Sequence, residues 1–567
     1  MTVAHLHPPS PSNSSTMTLE SPISRLPVEV LSRVFCHLSS SAKPDEKDLH
    51  APAPPWCHVL HVCRWWRKVA VETKELWRII PFGNAEWTNM ALRLSRPRSI
   101  AVCLCSTRAT DETSSHIYDV AASALSPEYH RAHRIHLLLH LRDDEDDSQD
   151  HRIVDDLKEV TPDELVDLYL HGDRTVLPLD HIVFRKEPAN LRHLRLQLCL
   201  LHESPNIFVN TLTTLRMETC ILTGTYTISM FASDIKFLLS LEDLSLICVT
   251  PLNLDGMPPF PEIGRSSRTL LPNLKRCKLV SQYSVLYVYL ANIDTPLNCH
   301  WDILGSPYAG HDVGLSTLEP VRPLAQLLAS RITSVVSMPR VRLDIHLSKT
   351  VGGKGNLRFT TKGVSFPYTF GTWCMLDWGI DPELDGRFEV PSLPDLVTAV
   401  PKDVLINAVC IDMELDDVEW EAIRPLLSRT RTLQFESPRF AVNCPFTRRR
   451  LKDEELSHLK MIQVECDEPM TAAQNKDSFQ LIENIIRYCL PRDGLRVKIY
   501  LDMDWPTEEE LVILESYGES VELQPAFRWS AEGRRVRLPP KDRPKEAPSL
   551  PFLEENGLNG SQSIINL

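Results

Sequence analysis

The side chains able to do chemistry are scattered, and the nearest thing to a cluster is His130, His133, His136 and His140. A zinc site needs imidazoles or thiolates that converge on one point. On a helix these four could share a face. The surrounding Ile135, Leu137, Leu138, Leu139 and Leu141 read better as the start of a buried strand. On a strand, alternation puts His136 and His140 on one face with Leu138 and turns His133 the other way. The group reads as solvated or core-edge histidines, and no metal is expected.

The remaining candidates fall one by one. Gly352-Gly353-Lys354-Gly355 lacks the outer glycines and the Lys-Ser or Lys-Thr ending that seat a phosphate and its magnesium, so it reads as a turn. Asp502 and Asp504 have no accompanying base, nucleophile or phosphate loop and read as the end of a strand passing into a loop. The acidic run from Asp143 to Asp150 reads as a solvated loop. The 15 cysteines include no CxxC pair, and they read as reduced, mostly buried small apolar residues. There is no Gly-x-Ser-x-Gly elbow, no dinucleotide glycine fingerprint and no His-Glu-x-x-His. The expectation is a protein that is not an enzyme and needs no cofactor.

The net charge of −14 leaves the molecule without an overall electrostatic footprint for nucleic acid or an anionic membrane. Residues 1–20, rich in Pro, Ser and Thr, hold no basic stretch followed by an apolar core, so no secretory signal is expected. No apolar run is long enough to cross a bilayer. A soluble intracellular protein is expected, cytoplasmic and/or nuclear, with Arg448-Arg449-Arg450 and Arg534-Arg535 read as solvated basic runs.

The elements that would position any site follow two rhythms. Leu165, Leu168 and Leu170 keep a spacing that returns at Leu191, Leu194 and Leu196 before Cys199, at Leu212, Leu215 and Met217 before Cys220, and at Leu241, Leu244 and Leu246. Leu274, Cys277 and Leu279 are a weaker copy. A strand turns alternate side chains into a stacked core, while the leucine three residues earlier caps the turn that enters it. The pattern resembles a leucine-rich repeat. Alternating apolar runs continue it at Val341 to Ile345, Val409 to Met413, Leu433 to Phe435, Ile462 to Val464 and Val497 to Leu501. Helices from Val418 to Leu427 and from Phe479 to Leu490 separate some of them. Residues 347–401 break the rhythm, as a hairpin insertion or a less regular repeat.

Between the two inward positions of each repeat, one residue points away from the core: Tyr169, Arg195, Arg216, Ser245 and Lys278. Three of the five are basic, so neighbouring strands would carry a basic stripe suited to an acidic or phosphorylated segment of a protein client.

The second rhythm is helical and N-terminal. After Leu26-Pro27, apolar residues recur at Val30, Val34 and Leu38 with Leu31 and Phe35 alongside. Val59, Val62, Cys63, Trp66, Val69 and Ala70 form a similar stripe, closing at Leu76-Trp77. Two short helices are too small to bury both stripes completely, which leaves apolar surface for a partner. Leu-Pro-x-Glu-Val-Leu-x-x-Val-Phe-x-x-Leu followed by Val-Cys-Arg-x-Trp-Arg and Leu-Trp resembles the F-box. The wording around Trp56 and Val62 to Arg67 is similar to F-box proteins of mushroom-forming fungi. The resemblance implies docking to a Skp-type adaptor and through it a cullin-RING ubiquitin ligase, with ubiquitin transfer done by bound enzymes. It places adaptor binding on Leu26, Pro27, Leu31, Val34, Leu38, Val62 and Trp66, and client choice in the remaining chain. A repeat-based scaffold acting without a ligase is the alternative.

The expected fold class is α+β, with small all-α F-box helices followed by an irregular α/β leucine-rich-repeat-like solenoid. The expected organisation is a disordered segment over 1–20, the F-box over 21–80, the repeat-like domain over 81–535 and a disordered Pro-rich tail over 536–567.

Overall fold

The computed structural model describes residues 26–41, 55–80, 84–105, 125–139, 156–172, 176–179, 182–223, 226–251, 269–305, 321–336, 341–349, 355–363, 372–378, 404–435, 457–465, 472–489, 495–501, 508–517, 521–525, 527–529 and 535–537. Positions 298 and 414 are excepted, and a few isolated residues are described besides. The expected disorder at both termini, the acidic run, His140, Asp502, Asp504 and Arg448 to Arg450 lie outside the described residues.

The chain forms two compact units, residues 1–177 with 182–191, and residues 178–181 with 192–567. Helices and mainly parallel sheet make the fold α+β, with the helical pair at the N-terminal end.

In the first unit, α1 runs over Val28–Ser41. The Pro27 carbonyl accepts the N–H groups of Val30 and Leu31, so the proline sits at the helix entry and sacrifices no backbone donor. The second amphipathic stretch is not one helix. It is α2, Val59–Val62, and α3, Arg64–Glu72, separated by an extended Cys63 whose sulfur accepts the Trp66 N–H at 3.4 Å. That turn rotates the two halves of the expected stripe apart, leaving Val59, Leu60, Val69 and Ala70 buried and Val62 exposed. The Ser32 and Thr73 hydroxyls, 2.9 Å apart, tie α1 to the end of α3.

Trp77 is fully buried and donates its indole N–H to the Ala70 carbonyl at 2.8 Å. It stacks on Trp87 of α4, Ala85–Leu94, and meets Trp56 edge-on. Asn84 starts α4 by accepting the N–H groups of Glu86 and Trp87.

The unit's sheet is parallel and in chain order: β1 Ile79–Ile80, β2 Ile100–Cys105, β3 Ala132–Leu139 and β4 Asp167–Gly172. Register aligns Val102, Ile135 and Leu168 in one buried row, and Cys103, His136 and Tyr169 in a row on the opposite face.

Among the described residues the second unit carries thirteen strands of one ladder: β5 His193–Gln197, β6 Thr214–Glu218, β7 Asp243–Ile247, β8 Arg276–Ser281, β9 His300–Gly305, β10 Val341–Lys349, β11 Gly355–Gly363, β12 Thr372–Trp378, β13 Ile406–Asp412, β14 Thr430–Phe435, β15 Met461–Glu465, β16 Arg496–Leu501 and β17 Val521–Pro525. From β5 to β9 each strand lies parallel beside its predecessor. The ladder then passes to β12, which is antiparallel to β11, which is antiparallel to β10. From β10 it returns to parallel order through β13 to β17. Residues 341–378 thus hold an antiparallel meander of three strands, and the described part of the interruption over 347–401 has the hairpin form.

Each of the first three strands of this ladder leaves through the same corner. Leu198, Thr219 and Cys248 take positive φ of 50°, 51° and 51°, a conformation that crowds a side chain bearing Cβ. Their N–H groups bond the carbonyls of Glu218, Ile247 and Val280 on the next strand, extending the ladder by one step. Cys199, Cys220 and Val249 follow, all buried. Helices return the chain between strands: α5 Ile228–Ile235, α6 Tyr283–Asn292 and α7 Val321–Val336 pack in series. Later come α8 Asp417–Leu427, started by an Asp416/Glu419 capping box, α9 Ala472–Cys489 and α10 Glu508–Glu515. The helix expected from Phe479 begins seven residues earlier, at Ala472.

Candidate functional site

The two apolar stripes of α1 have different fates. Leu31 and Phe35, one turn apart, are buried, and Phe35 packs edge-on against Trp66 with ring centroids 5.3 Å apart. Val30, Val34 and Leu38 lie on the neighbouring stripe and are exposed, as are Leu26, Pro27 and Val28 at the helix entry. Val62 is 55% exposed after α2. Trp66 is half-buried, with one side committed to Phe35.

Of the seven residues expected to meet an adaptor, five are exposed, Trp66 is half-buried and Leu31 is buried. It is 1% exposed, so it supports the surface from beneath and does not form part of it. Val30 continues the exposed stripe at helical spacing from Val34 and Leu38, and Val28 is exposed at the helix entry; neither was in the expected set. Covering each of these half-exposed side chains would contribute on the order of 1 kcal/mol. A row of exposed aliphatic side chains is the kind of surface that interaction sites present. Burial, with the Glu75 charge adding to it, pushes the Cys36 thiol up, and burial does the same to Cys57.

The three described histidines of the group do not converge. The ring of His130 bonds the Pro127 carbonyl, that of His133 the Ile100 carbonyl at 2.7 Å, and that of His136 the Asp167 carboxylate at 3.3 Å. Burial, and next the Arg78 charge, lower the pKa of His133. Cys103 stands beside His136 in register, but burial pushes its thiol up to about 11. Among the described residues no group of three His, Cys, Asp or Glu side chains could hold a metal ion. No described helix is long and apolar enough to cross a membrane.

The expected basic stripe is altered by its neighbours. Arg195 pairs with Glu218 at 3.3 Å, Arg216 with Asp243 at 3.5 Å and Lys278 with Asp302 at 4.0 Å, while Ser245 is buried. Arg276 adds a fourth cation, 2.8 Å from Asp243. The stripe is a charge-paired lattice, because each cation has a carboxylate on a neighbouring strand. Tyr169 belongs to the first unit, edge-on to His136 and stacked on His171.

The chain thus joins a short helical N-terminal element with an exposed aliphatic stripe to a large, mainly parallel sheet. Residues 23–80 match a family model described as F-box-like. No curated protein matches the chain. F-box domains generally bind Skp-type adaptors, and the matched span contains the whole exposed row from Leu26 to Val62.

Proposed function

We propose that this chain is the substrate-recognition subunit of a Skp/cullin/F-box type ubiquitin ligase. The N-terminal helices dock the adaptor, and the second unit, read as a leucine-rich-repeat-like domain, holds a protein client. The chain itself contributes no catalysis and no cofactor; ubiquitin is transferred by the cullin-bound enzymes. The complex works in the cytoplasm, the nucleus or both.

The observation that carries this reading is the bare stripe Val30, Val34 and Leu38 inside the F-box-like span, left uncovered while the adjacent Leu31 and Phe35 are buried. A monomer gains nothing by exposing one whole aliphatic stripe of a helix, whereas a partner that covers it gains apolar burial.

The test is reconstitution with purified adaptor, cullin, RING protein and conjugating enzyme. The full chain should co-elute with the adaptor–cullin assembly and promote ubiquitin transfer to proteins it retains. Co-elution without transfer to any retained protein would favour the scaffold reading. A folded chain that fails to co-elute would refute adaptor docking.

A further inference from the structure

The charge-paired lattice on the second unit's sheet is asymmetric in depth. The side chains of Arg195, Arg216, Lys278 and Arg276 are 37–66% exposed, while those of their partners Glu218, Asp243 and Asp302 are only 12–25% exposed. The carboxylates lie low against the strands and the cations stand over them. A ligand approaching this face meets positive charge first, on a molecule whose net charge is −14.

Register places an apolar row beside this layer. Ile247, Val280 and Leu304 occupy matched positions on β7, β8 and β9, on the same face as Ser245, Lys278 and Asp302 and two residues further along each strand. All three are only half-buried. The face therefore offers a band of cations and, about 7 Å away along the strands, a band of aliphatic surface.

We infer that this face binds an extended, carboxylate-rich peptide segment that carries an aliphatic side chain, with the acids over Arg195, Arg216, Arg276 and Lys278 and the aliphatic group on Ile247, Val280 and Leu304. The inference rests on the client-binding role proposed above and supplies the client's chemistry. Carboxylates fit better than a single phosphate because the cations are spread over β5, β6 and β8, about 14 Å from Arg195 to Lys278, and only Arg216 and Arg276 meet, at the Asp243 carboxylate. A single dianion would draw on only one or two of them. The sunken acids set the selectivity: they hold the cations in place and repel any ligand that reaches past them.

The experiment uses the full chain and fluorescence anisotropy with labelled peptides: an Asp/Glu-rich peptide with one central leucine, the same peptide with its acids replaced by lysine, the same with leucine replaced by serine, and one carrying a single phosphoserine in place of its acids. The acidic peptide should bind, weaken as salt is raised, and lose roughly tenfold or more in affinity in an Arg216→Glu, Lys278→Glu chain. Val280→Ser should weaken the leucine peptide and leave the serine peptide unchanged. The urea transition of the second unit serves as the folding control, and adaptor binding, which reads the first unit, should be retained in both variants. If the double variant does not fold, Lys278→Ala alone and the salt dependence of the parent chain decide the matter.

No binding of the acidic peptide by a chain that still binds the adaptor would overturn the inference and leave the ligase reading standing. Equal binding of the lysine peptide, or binding of the phosphoserine peptide alone, would overturn it too.

Discussion

Phe35 of α1 meets Trp66 of α3 edge-on, with ring centroids 5.3 Å apart and planes at 61°. The contact decides which stripe of α1 is spent on its own fold. With Phe35 and Leu31 turned inward, the Val30, Val34 and Leu38 stripe has to face away.

Truncation of the buried ring separates support from surface. Phe35→Ala should destabilise the N-terminal helices by about 3–5 kcal/mol, read as lost hydrogen-exchange protection over α1 and α3. Val34→Glu, at an exposed position, should change their stability by no more than about 0.5 kcal/mol. Equal loss of protection in both variants would mean that the exposed stripe is packed in solution.

The break at Cys63 depends on a weak sulfur acceptor. Cys63→Ser should keep or strengthen the cap on the Trp66 N–H, and Cys63→Ala should cost about 1 kcal/mol. Thermal unfolding of the two variants side by side should rank serine above alanine.

Thr219 sits at φ 51°, where a β-branched side chain is strained. Thr219→Gly should stabilise the chain by roughly 0.5–1 kcal/mol, the relief of left-handed strain exceeding the added freedom of the unfolded chain. Thr219→Val, which keeps the strain, should show no gain. The urea midpoint of the second unit's transition measures both.

Glu128 is buried among arginines: Arg96 donates to it, and so does Arg131, whose Nε lies 2.5 Å from Oε2. Burial acts to raise its pKa, but the hydrogen bonds from Arg96 and Arg131 outweigh it, and the carboxyl is held below the ordinary value of 4.5. A carboxyl whose pKa falls on folding contributes stability that is fully present above that value and is lost as the pH drops through the folded pKa. The first unit should therefore weaken in acid below about pH 4.5. Glu128→Gln should cost about 3 kcal/mol at neutral pH by leaving Arg131 without its buried counter-ion, and should flatten the acid dependence. Denaturant unfolding at neutral and acid pH reads both effects.

The parts of the fold legible in the sequence are those written in local period. Leu194, Leu196 and Cys199, repeated at Leu215, Met217 and Cys220, announce the strand and its corner, because alternation and turn share one short window. The hairpins of β10, β11 and β12 were not legible as such, since an alternating strand reads the same whether its neighbour runs parallel or antiparallel. The break at Cys63 was hidden for a similar reason: an apolar stripe continues smoothly through the sequence even where the backbone turns. Leu31 and Val34 have the same character, and only the packing of α1 in the folded unit tells which one is covered. The pairing of Arg195 with Glu218 needs the register of two strands as well as the presence of both residues.

The most direct test of adaptor docking is calorimetric titration of a purified Skp-type adaptor into the full chain, beside a Val34→Glu, Leu38→Glu chain shown to be folded. Docking predicts tight binding by the parent, with a negative heat-capacity change from apolar burial, and its loss in the variant. Absence of binding by the folded parent, or undiminished binding by the variant, would contradict it.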